Sequence, residues 1–186
     1  MAPYTKVDLL VVIDDGPHAA ALQARLADAL PAFVDRLKQH EPKLELRIGF
    51  TSANDGNPAC EPRAGVGGAL RLSSCREHPE DFIDSAGTDC FNELCTARCG
   101  LDELTVTPTA TLLDAEAARR PWVEVGSSSN LAAGTEAADA VVCAAILGIG
   151  GCPLTAPLSS AWRSLVRSQG NHSMPPVGFG VPARPR

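Results

Sequence analysis

The 186-residue sequence has no run approaching the roughly 18 apolar residues that a membrane helix requires. That excludes a helical span. Its opening, Met-Ala-Pro-Tyr-Thr-Lys, lacks the charged and apolar regions of a signal peptide, so the chain as given is expected neither to cross a membrane nor to export itself. Aromatic residues are only 4%, beside 45% hydrophobic and 20% charged, the composition of one soluble globular domain. Basic residues are the minority, 16 against 22 acidic, and a net charge of −6 excludes a general nucleic-acid binder, which needs clustered Lys and Arg. Carboxylates are missing altogether after Asp139, while Arg163, Arg167, Arg184 and Arg186 follow, so the last quarter is +4 and the rest −10. Carboxylate metal ligands are therefore excluded from that stretch. Enzyme signatures are missing too: no G-x-S-x-G elbow, P-loop, H-E-x-x-H or G-x-G-x-x-G opening a helix. Ser127-Ser128-Ser129 has no base nearby in sequence, and His18, His40, His78 and His172 are widely spread.

Cysteine, by contrast, is abundant. Seven lie at Cys60, Cys75, Cys90, Cys95, Cys99, Cys143 and Cys152, five of them within forty residues of Gly- and Pro-punctuated chain. A segment that buries little apolar surface is typically held by disulfides, which implies an oxidising, extracytoplasmic compartment. Zinc is the competing explanation, but Cys90-x4-Cys95-x3-Cys99 contains no C-x2-C pair and no nearby H-x3-5-H. The odd count leaves one thiol over, either free and buried or paired outside this sequence. Cys143 and Cys152, nine apart across a helix end and a Gly turn, permit a local disulfide; a buried free Cys143 is the alternative.

Val7 to Ile13 is an almost unbroken β-branched and apolar run, predicting a strand buried on both faces and parallel to its neighbour. After the turn cluster Asp14-Asp15-Gly16-Pro17, Leu22, Leu26, Leu30, Phe33 and Leu37 recur at helical spacing, with Pro31 expected to bend or break the helix. Glu41-Pro42 stops it. Leu44, Leu46, Ile48 and Phe50 then alternate with polar or small residues, predicting a second strand with one drier face. Strand, helix, strand is a βαβ unit over 1–56. Ligands of such units sit at the carboxyl ends of the strands, where Asp14, Asp15 and the Thr51 to Gly56 loop emerge. The Cys-rich insertion over 57–126 shows one candidate strand, Leu104 to Leu112, and a solvated charged loop around His78. A helical segment over 127–168 carries a helix capped by Thr135 through Leu147, then one with Pro157 in its first turn and an inward stripe of Leu158, Trp162, Leu165 and Val166. Trp122 and Trp162 are expected in the core. Residues 169–186 read as an irregular tail.

Val7-Asp8-Leu9-Leu10-Val11-Val12-Ile13-Asp14 with its Ala/Leu-rich helix and Leu46-Arg47-Ile48-Gly49-Phe50-Thr51 resembles the start of a von Willebrand factor A (VWA)-like domain. Pro108-Thr109-Ala110-Thr111, Arg120-Pro121-Trp122-Val123-Glu124, Asn130-Leu131, Gly148-Ile149-Gly150-Gly151-Cys152 and Gly178-Phe179 extend the likeness, in order, to the VWA-like cell-envelope lipoproteins of myxobacteria. The resemblance implies a Rossmann-like, VWA-type three-layer α/β sandwich, here incomplete and with a cystine-rich loop insertion. It also implies a metal site of the form D-x-S-x-S, a later Thr and a final Asp. Here that element reads Asp14-Asp15-Gly16-Pro17-His18, so Gly16 and His18 replace both serines and remove two hard oxygen ligands from a Mg²⁺ or Mn²⁺ site. Nothing acidic follows Gly178-Phe179 to supply the last ligand. Asp14, Asp15 and His18 remain the candidate ligands of a repurposed site for Zn²⁺ or another soft metal. The alternative is that Asp14 satisfies backbone donors at its loop while His18 faces solvent.

In the architecture that the resemblance implies, the first strand is central and strands on one side of it come from later sequence. This chain is too short to supply them, so the flank of the first strand is expected to be covered by the insertion, by a partner strand or by self-association. The sequence thus reads as one non-enzymatic protein-binding or scaffolding module of a cell envelope with a degenerate metal-ion-dependent adhesion site. The alternative is a metal-dependent enzyme or metal-binding protein using Asp14, Asp15 and His18.

Overall fold

The computed structural model describes residues 5–60, 65–111, 115–127 and 129–168. Strand β1 (Lys6–Ile13) and strand β2 (Glu45–Ser52) pair in parallel from Lys6↔Glu45 to Ile13↔Ser52, joined by helix α1 (Ala20–Lys38). The βαβ reading of the first segment therefore holds. β2 is also bordered by the short antiparallel strand β3 (Val123–Val125), with Leu46 opposite Val125 and Ile48 opposite Val123. The order β1-β2-β3 makes β2 central and leaves β1 at an edge.

The burial of each strand follows from that order. Leu46, Ile48 and Phe50 are all buried on one face of β2, as their alternation predicts. β1 corrects the expectation of a strand dry on both faces: Lys6, Val7 and Asp8 are exposed, Leu9 to Val12 half-buried, and only Ile13 is buried. Among the described residues, its apolar run has a neighbour along one side only. Glu45 N–H donates to Thr5 O and Ala53 N–H to Ile13 O, so odd-numbered residues of β1 turn their backbone groups to β2. Lys6, Asp8, Leu10 and Val12 turn theirs to the open side.

Leu9, Val11 and Ile13 share the main core with Leu30 and Val34 of α1 and with helix α2 (Ala137–Ala145). Every α2 residue except Ala138 and Asp139 is buried, the pattern of a helix enclosed on all sides. It is shorter than predicted, and Glu136 rather than Thr135 stands at its N-cap, with no side-chain cap. On α1 the buried positions are Gln23, Ala27, Leu30 and Val34, whereas Leu22 and Phe33 of the predicted stripe are 60% and 43% exposed. Pro31 lies within α1 without ending it.

Helix α3 (Pro157–Ser168) rests against β1 and β2 on the face away from α1. It does so with its small polar residues: Ser160 and Ser164 are buried, and Ser164 Oγ donates to Gly68 O at 2.5 Å. Gly68 has φ +76°, and a Cβ there would lie 2.6 Å from Ser160 O, so only glycine brings this loop so close to the helix. The predicted inward stripe is reversed. Leu158, Trp162 and Leu165 are 86%, 67% and 47% exposed, because the side of α3 that meets the sheet is the serine side. Trp122 is buried as expected, against Leu10 and Leu70, with the Arg47 guanidinium 5.6 Å from its ring centre.

The segment 57–126 is loop-rich and cystine-rich. Disulfides join Cys60 to Cys152, Cys75 to Cys95 and Cys99 to Cys143, and Cys90 is free and buried. The local Cys143–Cys152 bridge is thus replaced by two long-range ones, and Cys143 is not the free thiol. Instead of a strand at Leu104 to Leu112, single bridges pair Val106 with Leu131 and Thr109 with Ala118, since no regular partner runs beside them; Leu112 lies outside the described residues. β3 forms within this segment and went unpredicted. The tail from 169, with His172 and Gly178-Phe179, lies outside the described residues.

Candidate functional site

At the carboxyl ends of β1 and β2 the chain forms a cleft of about 370 Å³, lined among others by Asp15, Asn54, Arg71, Glu80, Asp81 and Gly151. Leu147, one of its lining residues, is held by one buried amide. Gln23 Nε2 donates to Asp14 O at 2.7 Å and Gly148 O at 2.6 Å, while its Oε1 accepts from Leu147 N and Gly148 N. The end of β1, the start of α1 and the chain leaving α2 are tied at that point. Further backbone bonds hold the lining: Ile149 N and Gly150 N donate to Asp81 O, and Gly151 N donates to Asp15 O.

The three sequence-predicted ligands diverge here. Asp14 turns its carboxylate onto its own loop, accepting from Gly16 N at 2.8 Å. A Cβ at Gly16 would stand 3.1 Å from that carboxylate and 3.2 Å from Cys152 O, so the serine of the VWA pattern would be tight at this position. His18 is exposed. Asp15 points into the cleft, where Ser52 hydrogen-bonds to it and its Oδ1 is buried with no hydrogen-bond partner. Burial pushes its pKa above the ordinary carboxylate range, against the Ser52 hydrogen bond, and the nearby charges of Asp14 and Asp81 add to the rise. Asp81 is itself paired with Arg71 at 2.8 Å.

Among the described residues, the three metal-ligating side chains whose ligand atoms lie within 4.8 Å of one another are Cys75, Cys95 and Cys99, all buried. Their sulfurs are engaged in disulfides. Burial raises the Cys90 thiol pKa, assisted by Asp89 and Glu93, and its S–H faces Phe82 O, which describes an unreactive core cysteine.

The second feature is the flank of β1. On one face, Asp28 pairs with Arg98 at 2.8 Å and Lys38 with Glu136 at 4.0 Å, marking the side of α1 turned to the Cys-rich segment and α2. Leu22 and Phe33 are exposed on the opposite side, which overhangs the outer edge of β1, with Leu26 and Leu37 beside them half-buried against the core. On the other face, Arg163 and Arg167 of α3 donate to Asp55 O and Gly67 O, both at 3.0 Å, on the side away from β1. Leu158 and Leu165 therefore lean toward the same outer edge, with Trp162 beside them. Among the described residues β1 pairs with β2 alone, and Leu22 and Phe33 on one face and Leu158 and Trp162 on the other are exposed.

No family model, curated protein or solved structure matches the chain. The site must be argued from its own chemistry. Sequence reasoning located the strand-end cleft and Asp15 within it, but missed Gln23, Arg71 and Asp81. Only Gln23 carried a signal, as a polar residue one position from the apolar helical repeat. Glu80 and Asp81 are no solvated loop alone, because the chain folds them over the strand ends.

Proposed function

We propose that this chain is a non-enzymatic protein-binding or scaffolding module of VWA-like type, working outside the cytoplasm at a cell envelope. The observation that carries it is the apolar stripe of α3, directed away from the domain's own core. Large exposed apolar patches mark interaction surfaces, and here the patch borders a strand edge that no other described residue pairs with. The three disulfides support the compartment. Among the described residues, no helix is long and apolar enough to cross a membrane.

A photo-crosslinking residue placed at Trp162, with Ala86 as an exposed control, tests this in producing cells. A discrete protein adduct at 162 that disappears in Leu158→Glu is expected. Equal or absent labelling at both positions would overturn the reading.

One observation favours a second reading, a metal-binding protein: the unpartnered Asp15 Oδ1 in an acidic cleft. Thermal unfolding with Mg²⁺, Mn²⁺ and Zn²⁺ decides between them. A rise in melting temperature that is lost in Asp15→Asn would support metal, because a ligand that binds only the folded state stabilises it. We expect none.

A further inference from the structure

We propose that the open flank is closed by a second copy of this chain, β1 against β1 in antiparallel register, giving one continuous six-stranded sheet. This rests on the reading of that flank as a protein-binding surface and names its occupant. The backbone sets the first condition. Lys6, Asp8, Leu10 and Val12 turn their N–H and C=O groups outward, so even residues must meet even residues across the new pair. The side chains set the second. Odd residues lie on the α1 face and even ones on the α3 face, so a two-fold axis perpendicular to the sheet must also match even with even. Both conditions select the same registers.

Charge selects among them. Centred on Leu10 opposite Leu10, the pairing sets Leu9 against Val11 and Val7 against Ile13, and brings exposed Lys6 opposite exposed Asp14. Asp8 falls opposite Val12 but is already held by Arg47 through two hydrogen bonds of 2.7 and 3.0 Å, so no lone charge enters the interface. The same axis brings the Leu22, Leu26, Phe33 and Leu37 side of α1 against its twin, and the Leu158 and Leu165 side of α3 likewise. A strand about 26 Å long under three layers each about 10 Å thick presents close to the roughly 800 Å² per partner of a standard interface. A self-complementary apolar flank of that size fits a second copy better than an unrelated strand.

Sedimentation velocity on the full chain should show a dimer in the micromolar range that dissociates in Phe33→Glu, with circular dichroism unchanged because Phe33 is half-exposed. Leu10→Cys tests the register independently. Hydrogen-bonded antiparallel pairs hold their Cα atoms about 5.5 Å apart, within disulfide range. Mild oxidation should therefore cross-link Leu10→Cys and not Ala86→Cys.

A monomer at all concentrations overturns the proposal in either form. If its Leu10 and Val12 amides are protected from exchange, another segment of the chain covers β1; if unprotected, the edge is open. A dimer whose Leu10→Cys variant does not cross-link overturns the register and the sheet continuation with it. A monomer that still gives the position-162 adduct would sink only the second copy, leaving the protein-binding reading in place.

Discussion

Gln23 holds four backbone groups from two distant parts of the chain, and it is buried to 2% exposure. Gln23→Leu keeps the volume but orphans all four, each buried unpaired group costing about 1–3 kcal/mol. We expect at least ~3 kcal/mol of lost stability, read as a lower urea midpoint with an unchanged slope. Asp15 should behave in the opposite sense. Its folded pKa is raised, so the folded state favours the protonated form: the contribution is fully present below the ordinary carboxylate range and is lost as pH rises through the folded value. At neutral pH the buried charge therefore costs stability. Asp15→Asn should raise the melting temperature at pH 7, and by less at pH 4. Equal gains at both pH values would show that the charge is not the cause. Of these two residues only Asp15 was legible in the sequence, because a carboxylate after a strand advertises itself. A buried glutamine is indistinguishable from a surface one until its four partners are brought to it.

The strand-helix-strand unit was legible because periodicity records burial, and β2 wrote it clearly. On α1 the same rule was misleading by one position. The largest residues, Leu22 and Phe33, mark the uncovered side, while the smaller Ala27 and Val34 meet the core. α3 repeats the lesson, since amphipathicity gives the helix an axis without saying which end of it is wet. β3 was illegible for another reason: three residues cannot display a period, and Val123 and Val125 are strand only because β2 lies beside them. The cystine framework was legible as a class and not as a pairing. Replacing Cys99 and Cys143 together by Ser should cost about 2–4 kcal/mol, since that bridge links the Cys-rich segment to α2. Thiol titration should find one free sulfhydryl per chain, Cys90, reactive only after denaturation. Seven titratable thiols in the native protein would overturn the extracytoplasmic assignment.

At the scale of the molecule, the described residues make a small sheet of three strands. The covalent connections carry a different consequence, one of time. Cys75–Cys95 and Cys99–Cys143 lie side by side in the chain, and both are nested inside Cys60–Cys152, whose partners are 92 residues apart. A chain emerging from its amino end into an oxidising space would present Cys60 with five wrong partners before the right one arrives. Pairing each thiol with the next to appear would trap Cys60 with Cys75 and Cys90 with Cys95. Production of this protein should therefore depend on a catalyst that reshuffles disulfides, and Cys90→Ala, by removing a competitor with no native bond to make, should raise the yield of correctly bridged chain.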